Sequence, residues 1–140
     1  MSLIKAPRED LAGIAAAFGG DSASAESFEA MFDDHFIFWH IADNGKKVGF
    51  CVARVEGTMF QIGMIGIEPE FREALWKPTV DELAAYGRKN GDRIAYADVD
   101  ALDSDILALY AKVGFREVSR KEKDAGDGRT FTEVELTRVL

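Results

Sequence analysis

The chain has 140 residues and 15.4 kDa, a single-domain length that can bury a core without disulfides or metals, so residues 1–140 are expected to form one domain. Its composition, 47% hydrophobic and 30% charged with 3 prolines, excludes extended disorder, and one cysteine with two histidines at no ligand spacing excludes a structural zinc site. A formal charge of −8 argues against nucleic acid as a partner, because that affinity comes from Lys and Arg displacing counterions.

No apolar run approaches about 18 residues, which excludes a membrane-spanning helix. The N-terminus does not read as a signal peptide, since Arg8, Glu9 and Asp10 follow only a short apolar stretch, and the cytoplasm is the expected compartment. The acidity is concentrated in residues 1–70, which hold 5 Lys/Arg against 11 Asp/Glu. Such a half attracts a cationic substrate such as an amine, or simply keeps the chain soluble.

In chain order, residues 3–5 suggest a short strand ended by Pro7. Leu11, Ile14, Ala15 and Phe18 follow the spacing of a helix with one buried stripe, stopped by Gly19 and Gly20. A loop over residues 21–25 leads to a second helix marked by Phe28, Met31, Phe32 and Phe36. The period then becomes two: Ile37, Trp39 and Ile41 alternate with Phe38 and His40, and Asp43, Asn44 and Gly45 make a tight hairpin turn. Val48, Phe50, Val52 and Arg54 alternate in the next strand. Residues 58–67 form a long strand whose Gly63 and Gly66 suggest a bulge or a close approach.

Pro69 ends that strand, and a loop runs through Trp76. Pro78 and Thr79 are then expected to open a helix, with Thr79 as N-cap and Glu82 completing a capping box, and Asn90-Gly91 to close it. Residues 94–100 read as a strand, Asp103 as the cap of a further helix ended by Gly114, and residues 115–119 and 129–139 as two last strands. The order β-α-α-β-β-β-α-β-α-β-β describes an α/β domain with one parallel step across residues 58–100.

Two stretches carry a family resemblance over nearly the whole chain. Ile65, Ile67, Pro69, Phe71 and Arg72 resemble the strand end V-x-V-x-P-x-Y-R of the GNAT N-acetyltransferase superfamily. Val99, Asp103, Leu109, Tyr110, Lys112, Gly114 and Phe115 resemble that family's last helix, V-x-x-x-N-x-x-A-x-x-L-Y-x-K-x-G-F. The resemblance implies a GNAT-like mixed, twisted sheet with helices on both faces and a cleft where the strands at 58–67 and 94–100 part. It implies acetyl-CoA as cofactor and, as partner, an amine on a small molecule or a protein. A second copy of the chain is a further candidate partner, since homodimers are common for such folds.

The resemblance also assigns roles. Tyr110 would protonate the leaving sulfur, as a phenol of ordinary pKa near 10 can do for a thiolate, or would merely continue the apolar stripe of Ile106 and Val113. The Ile65 amide would polarise the thioester carbonyl, and the Ile67 backbone would pair with the pantetheine arm. Arg72, Leu75, Trp76, Lys77 and Asp103 fall at the positions that hold the rest of the cofactor. Two of these depart from the pattern: Leu75 and Lys77 stand where the family has the glycines of its pyrophosphate loop, which makes that loop degenerate, and Asp103 stands where it has Asn. The spacing suggests that the turn survives, with Lys77 and Arg72 supplying charge. The general base is open between Glu68, Asp98, His40 and a water chain. Cys51, in an apolar strand, reads as core, and the aromatics over residues 36–39 read as core or as an acceptor wall. The competing function is a non-catalytic GNAT-like binding module without normal coenzyme A binding.

Overall fold

The structure is a computed structural model that describes residues 1–18 and 24–140; the expected stop at Gly19 and Gly20, and residues 21–23 of the expected loop, lie outside the described residues. Among the described residues, strands β1 (Ser2–Lys5), β2 (Ile37–Asp43), β3 (Lys46–Val55), β4 (Met59–Ile67), β5 (Ile94–Asp100), β6 (Arg116–Asp124) and β7 (Thr130–Val139) form one sheet in the order β1-β2-β3-β4-β5-β7-β6. Every neighbouring pair is antiparallel except β4 and β5. Helices α1 (Leu11–Phe18) and α2 (Ala25–Asp33) follow β1 after a 3-10 turn at Arg8–Asp10, α3 (Pro69–Lys89) joins β4 to β5, and α4 (Ser104–Lys112) joins β5 to β6.

Strand alternation divides the apolar side chains between two cores. Phe38, Phe50 and Val52 join Leu11, Ile14 and Phe28 beneath α1 and α2. Trp39, Ile41, Cys51, Phe60 and Ile62 join Trp76, Val80, Leu83, Leu109 and Tyr110 beneath α3 and α4. The sheet therefore carries helices on both faces, as a two-sided burial pattern demands.

Two bulges adjust this alternation. In β3, Val48 is an extra residue between the pairs Ile41–Gly49 and Ala42–Lys47, so it turns to the α3 side although Phe50 and Val52 face α1. The Val48 carbonyl accepts the Glu68 amide at 2.8 Å, which ends β4 and aims the start of α3. In β4, Gly63 is the extra residue between Ile62–Ala53 and Met64–Val52. It shifts the alternation so that Phe60, Ile62, Ile65 and Ile67 all pack with α3 and α4, whereas Met64 packs on the α1 side.

Four expectations are corrected. The helix expected to open at Pro78 and Thr79 begins at Pro69 and runs through Pro78 without a break. Thr79 is a buried mid-helix residue with an unpaired hydroxyl and caps nothing. The apolar spacing explains the difference: Leu75, Trp76, Thr79, Val80, Leu83, Ala84 and Gly87 form one buried stripe, and a proline at the first helical position is a good start. Asp103 precedes α4 but makes no side-chain cap hydrogen bond. Phe36 lies beyond α2 and packs in the core as a loop residue. The last two strands start at Arg116 and Thr130, the former longer than the hydrophobic pattern suggested because its side chains are almost all exposed.

Gly66 lies directly under the Phe50 ring, where an added Cβ would stand 2.5 Å from ring carbon Cε1. Phe50 is itself clamped by Phe18 and Phe28. Gly66→Ala should therefore cost about 1–3 kcal/mol through overpacking, measured by urea unfolding. The same change at Gly13, an exposed α1 position with nothing within 4 Å of the added atom, should stabilise by roughly 0.5–1 kcal/mol. Equal effects of the two changes would contradict this packing.

Asp92, in the turn between α3 and β5, is 2% exposed and its carboxylate has no completed hydrogen bond. Burial raises its pKa, the nearby amides of Glu56 and Gly57 oppose the rise without completing a bond, and the Glu56 charge adds to it. A carboxyl whose folded pKa lies above its unfolded value of about 3.9 adds stability below that unfolded pKa and loses it as pH rises through the folded one. Asp92→Asn should thus gain more stability relative to the parent at about pH 7 than at about pH 4, read from urea titrations. An equal effect at the two pH values would assign the Asp92 carboxyl no part in the pH dependence.

Candidate active site

Parallel pairing between β4 and β5 runs only from Met59–Ile94 to Ile62–Ala97. Past that point the β5-facing backbone of β4 has no strand partner, while β5 stays paired with β7 to its end. The gap holds a cavity of about 250 Å³ lined by Gly63, Ile65, Trp76, Asp98, Asp103 and Tyr110, with Ile62, Met64, Val99, Asp100 and Ile106 completing the wall. Of the residues singled out in the sequence, this brings together Ile65, Trp76, Asp103 and Tyr110. It leaves Ile67, Arg72, Leu75 and Lys77 outside.

Tyr110 comes from α4, whose buried positions include Leu109 and Tyr110. The phenol ring is 3% exposed and sits edge-on to Trp76 at 5.1 Å and to Phe115 at 4.9 Å. Burial pushes its pKa well above the usual value, so the hydroxyl keeps its proton at every working pH. Trp76 comes from α3 and is 2% exposed, and its indole N–H has no hydrogen-bond partner. Both aromatics form the floor of the gap and leave the cavity above them.

Asp98 reaches the same cavity from the opposite side. Ala95, Ala97 and Val99 of β5 pack beneath α3 and α4, so Tyr96, Asp98 and Asp100 leave the strand on the other face. The surroundings of the Asp98 carboxyl raise its pKa, first by withdrawing water and then through Glu133 and Glu135 on β7, against the opposing Lys123 and Lys121. Asp100 also lines the gap, a position the sequence reading missed, although the same alternation that exposes Asp98 signals it. Of the three candidate bases, only Asp98 lines this cavity. His40 is bonded through Nε2 to Asp10 at 2.8 Å under α1, and Glu68 stands before α3 near Lys46.

Cys51 is fully buried, and burial pushes its thiol up, which makes it an inert core residue. Phe36 and Phe38 are core beneath α2, and Trp39 is core against Tyr86 at 5.2 Å.

The residues at the positions of the family's pyrophosphate loop are helical. Residues 69–89 form one α-helix, in which amides past the first turn are directed to carbonyls of the preceding turn, and Pro78 has no amide at all. Leu75 is buried in the core, and Lys77 points to solvent and pairs with Asp81 at 2.6 Å. The Arg72 guanidinium donates to the Ile67 carbonyl at 3.4 Å. Beside it, a groove of about 390 Å³ between α3 and α4 is lined by Arg72 and Lys112 together with Glu73 and Asp105, and Lys112 is paired with Glu73. The expectation that the turn survives is thus corrected: a helix replaces it, because no glycine interrupts the apolar stripe. The gap fits the thioester end of acetyl-CoA, and the amides and charges around α3 do not fit its diphosphate.

Among the described residues no helix is long and apolar enough to cross a membrane and no group of metal-ligating side chains is present. No family model matches the chain. Over 112 residues it is 26% identical to the [ribosomal protein bS18]-alanine N-acetyltransferase of Escherichia coli (strain K12), covering 76% of this chain and 74% of that protein. The crystal structure of the ribosomal-protein-S18-alanine N-acetyltransferase from Escherichia coli superposes with a TM-score of 0.80 at 19% identity, covering 99% of this chain and 92% of the other. That of the ribosomal-protein-alanine N-acetyltransferase from Brucella melitensis gives 0.78 at 16% identity, with both chains fully covered. The parted strands, the helices on both faces and these superpositions agree, and the chain has the fold of the GNAT acetyltransferases that its two motifs resemble.

Proposed function

We propose that the chain is an N-acetyltransferase that moves an acetyl group from a thioester to a primary amine of a small molecule or a protein. The observation that carries this reading is the unpaired stretch of β4 beyond Ile62, with Tyr110 at the floor of the gap and Asp98 at its opposite wall. The similarity to a protein named for acetylating an alanine of ribosomal protein bS18 supports the same chemistry. Acetyl-CoA is the donor that the resemblance implies, and it supplies the activated acetyl group.

The chain's own groups have separable tasks. Asp98 takes a proton from the incoming ammonium, directly or through water, so that nitrogen attacks as a neutral amine. Its raised pKa brings it closer to the amine's and makes the transfer less uphill. Unpaired β4 backbone at Ile65 offers an N–H to the oxyanion that forms on the carbonyl. As the C–S bond breaks, the Tyr110 hydroxyl gives its proton to sulfur and regains one from solvent. Burial raises the phenol's pKa, so the hydroxyl holds its proton until the developing thiolate takes it.

The test is amine-dependent release of free thiol from acetyl thioesters, with a polyamine and an alanine-led peptide as acceptors, and mass spectrometry of the product. Acetylated amine is expected. No transfer from any donor would favour the second reading, a binding module, which the uninterrupted helix through residues 72–78 supports.

Tyr110→Phe should lower kcat by about 10²–10⁴-fold with KM for the donor nearly unchanged. The loss should shrink with a donor whose thiol is more acidic, and an unchanged kcat with every donor would make Tyr110 a core residue only. Asp98→Asn should lower kcat/KM by about 10²-fold. In the parent protein the rate should fall on the acid side as Asp98 takes up a proton, and this limb should vanish in the variant. A limb that persists in Asp98→Asn would assign the base to another group.

A further inference from the structure

The donor half of the site is split into a cleft that accepts a thioester and a neighbouring helix that offers a diphosphate almost nothing. A diphosphate cradle needs converging amides, glycines that let the backbone approach, and an excess of positive charge. Here residues 73–77 lie inside α3, where helical geometry directs amides to the helix's own carbonyls, and Pro78 supplies none. The two glycine positions carry Leu75, which is core, and Lys77, which pairs with Asp81. Glu70 and Glu73 stand in the first turns of α3 and Glu68 just before it. These carboxylates suit the helix dipole themselves and repel a second anion there.

The adjoining groove carries as many acids as cations, so it offers no excess of positive charge. Arg72 and Lys112 face Glu73 and Asp105, and the Lys112–Glu73 pair at 3.4 Å lies across it. The cleft at Tyr110, at about 250 Å³, falls just below the roughly 300–1,000 Å³ of pockets that bury a drug-sized ligand. It has room for the end of an arm and not for a nucleotide.

We propose that the site recognises its donor as an acyl thioester on a pantetheine-like arm, and that the nucleotide diphosphate of coenzyme A adds no binding. Small acyl thioesters without that nucleotide are then donors as good as acetyl-CoA. This rests on the acetyl-transfer reading and specifies its donor. The bonds made and broken are those of that reading: nitrogen to carbonyl carbon forms and carbon to sulfur breaks, while of the two protons the ammonium loses, one is balanced by the proton gained by the thiol and the other passes by way of Asp98 to solvent.

The experiment uses the whole chain and reads binding before turnover. Coenzyme A, pantetheine and adenosine 3′,5′-bisphosphate are titrated separately by calorimetry and by thermal shift. Kd values for coenzyme A and pantetheine should agree within about tenfold, since one charge-assisted hydrogen bond to the diphosphate would by itself add about that factor. The bisphosphate should leave Tm unchanged at millimolar concentration. In turnover, kcat/KM for S-acetyl-pantetheine and acetyl-CoA should agree within the same tenfold limit.

Coenzyme A binding more than about tenfold tighter than pantetheine, or a Tm rise with the bisphosphate, overturns this inference and leaves acetyl transfer standing. If neither coenzyme A nor pantetheine binds, both fall together, and the chain is the binding module instead.

Discussion

Beyond Ile62 and Ala97 the backbones of β4 and β5 stop exchanging hydrogen bonds, and the character of the rest of the molecule depends on that parting. A parallel pair inside a sheet leaves no room for a ligand, because its backbone groups satisfy each other. Once the pair opens, the freed groups of β4 face a cavity, and side chains from both faces of the sheet reach it. The Gly63 bulge sits where the strands begin to separate, and it keeps Ile65 and Ile67 on the face that α3 and α4 cover. The opening is thus bordered by a helix-covered floor bearing Tyr110 and a wall bearing Asp98.

The floor is held by aromatic packing. Trp76, Tyr110 and Phe115 meet edge-on in series, which ties α3 to α4 and to the start of β6. Such contacts are worth about 0.5–1.5 kcal/mol each beyond their burial, and they also fix the orientation of the phenol. The same packing is what converts a loop position into a helical one. Trp76 can meet Tyr110 only if it stands in register with Val80 and Leu83, and that register is α-helical from the first turn of α3. The anchoring of α3 and the absence of a diphosphate cradle are therefore one structural fact.

Charge is arranged to complement this division. The face of the sheet at Asp98 carries Asp100 on the same strand and Glu133 and Glu135 on β7, opposed by Lys123 and Lys121 of β6, so this wall of the gap keeps an acidic excess. The groove between α3 and α4 balances two cations with two acids. The first attracts cations in general, and the second has no excess charge with which to draw a polyanion.

Periodicity and punctuation made most of the architecture legible. The shift from helical to alternating spacing near Ile37, the Asn44-Gly45 turn with φ of 51° and 80°, and the left-handed Gly91 and Gly114 after α3 and α4 are local backbone physics, and each stands where the sequence indicates. The two motifs likewise put Ile65 and Tyr110 at one gap, since their spacing along the chain encodes a strand end and a helix face. Pro78 misled because proline is a strong local stop signal, whereas the buried stripe through Leu75 and Trp76 outweighs it by packing against α4 and the sheet. The sequence by itself thus determined the elements and their order, and it singled out Ile65, Trp76, Asp98, Asp103 and Tyr110, which line one cavity. Only the tertiary structure decided that residues 72–78 are helix, that Asp98 and not His40 or Glu68 shares the cavity with Tyr110, and that Val48 and Gly63 bulge. Those outcomes depend on contacts between segments far apart in the chain, which no local pattern records.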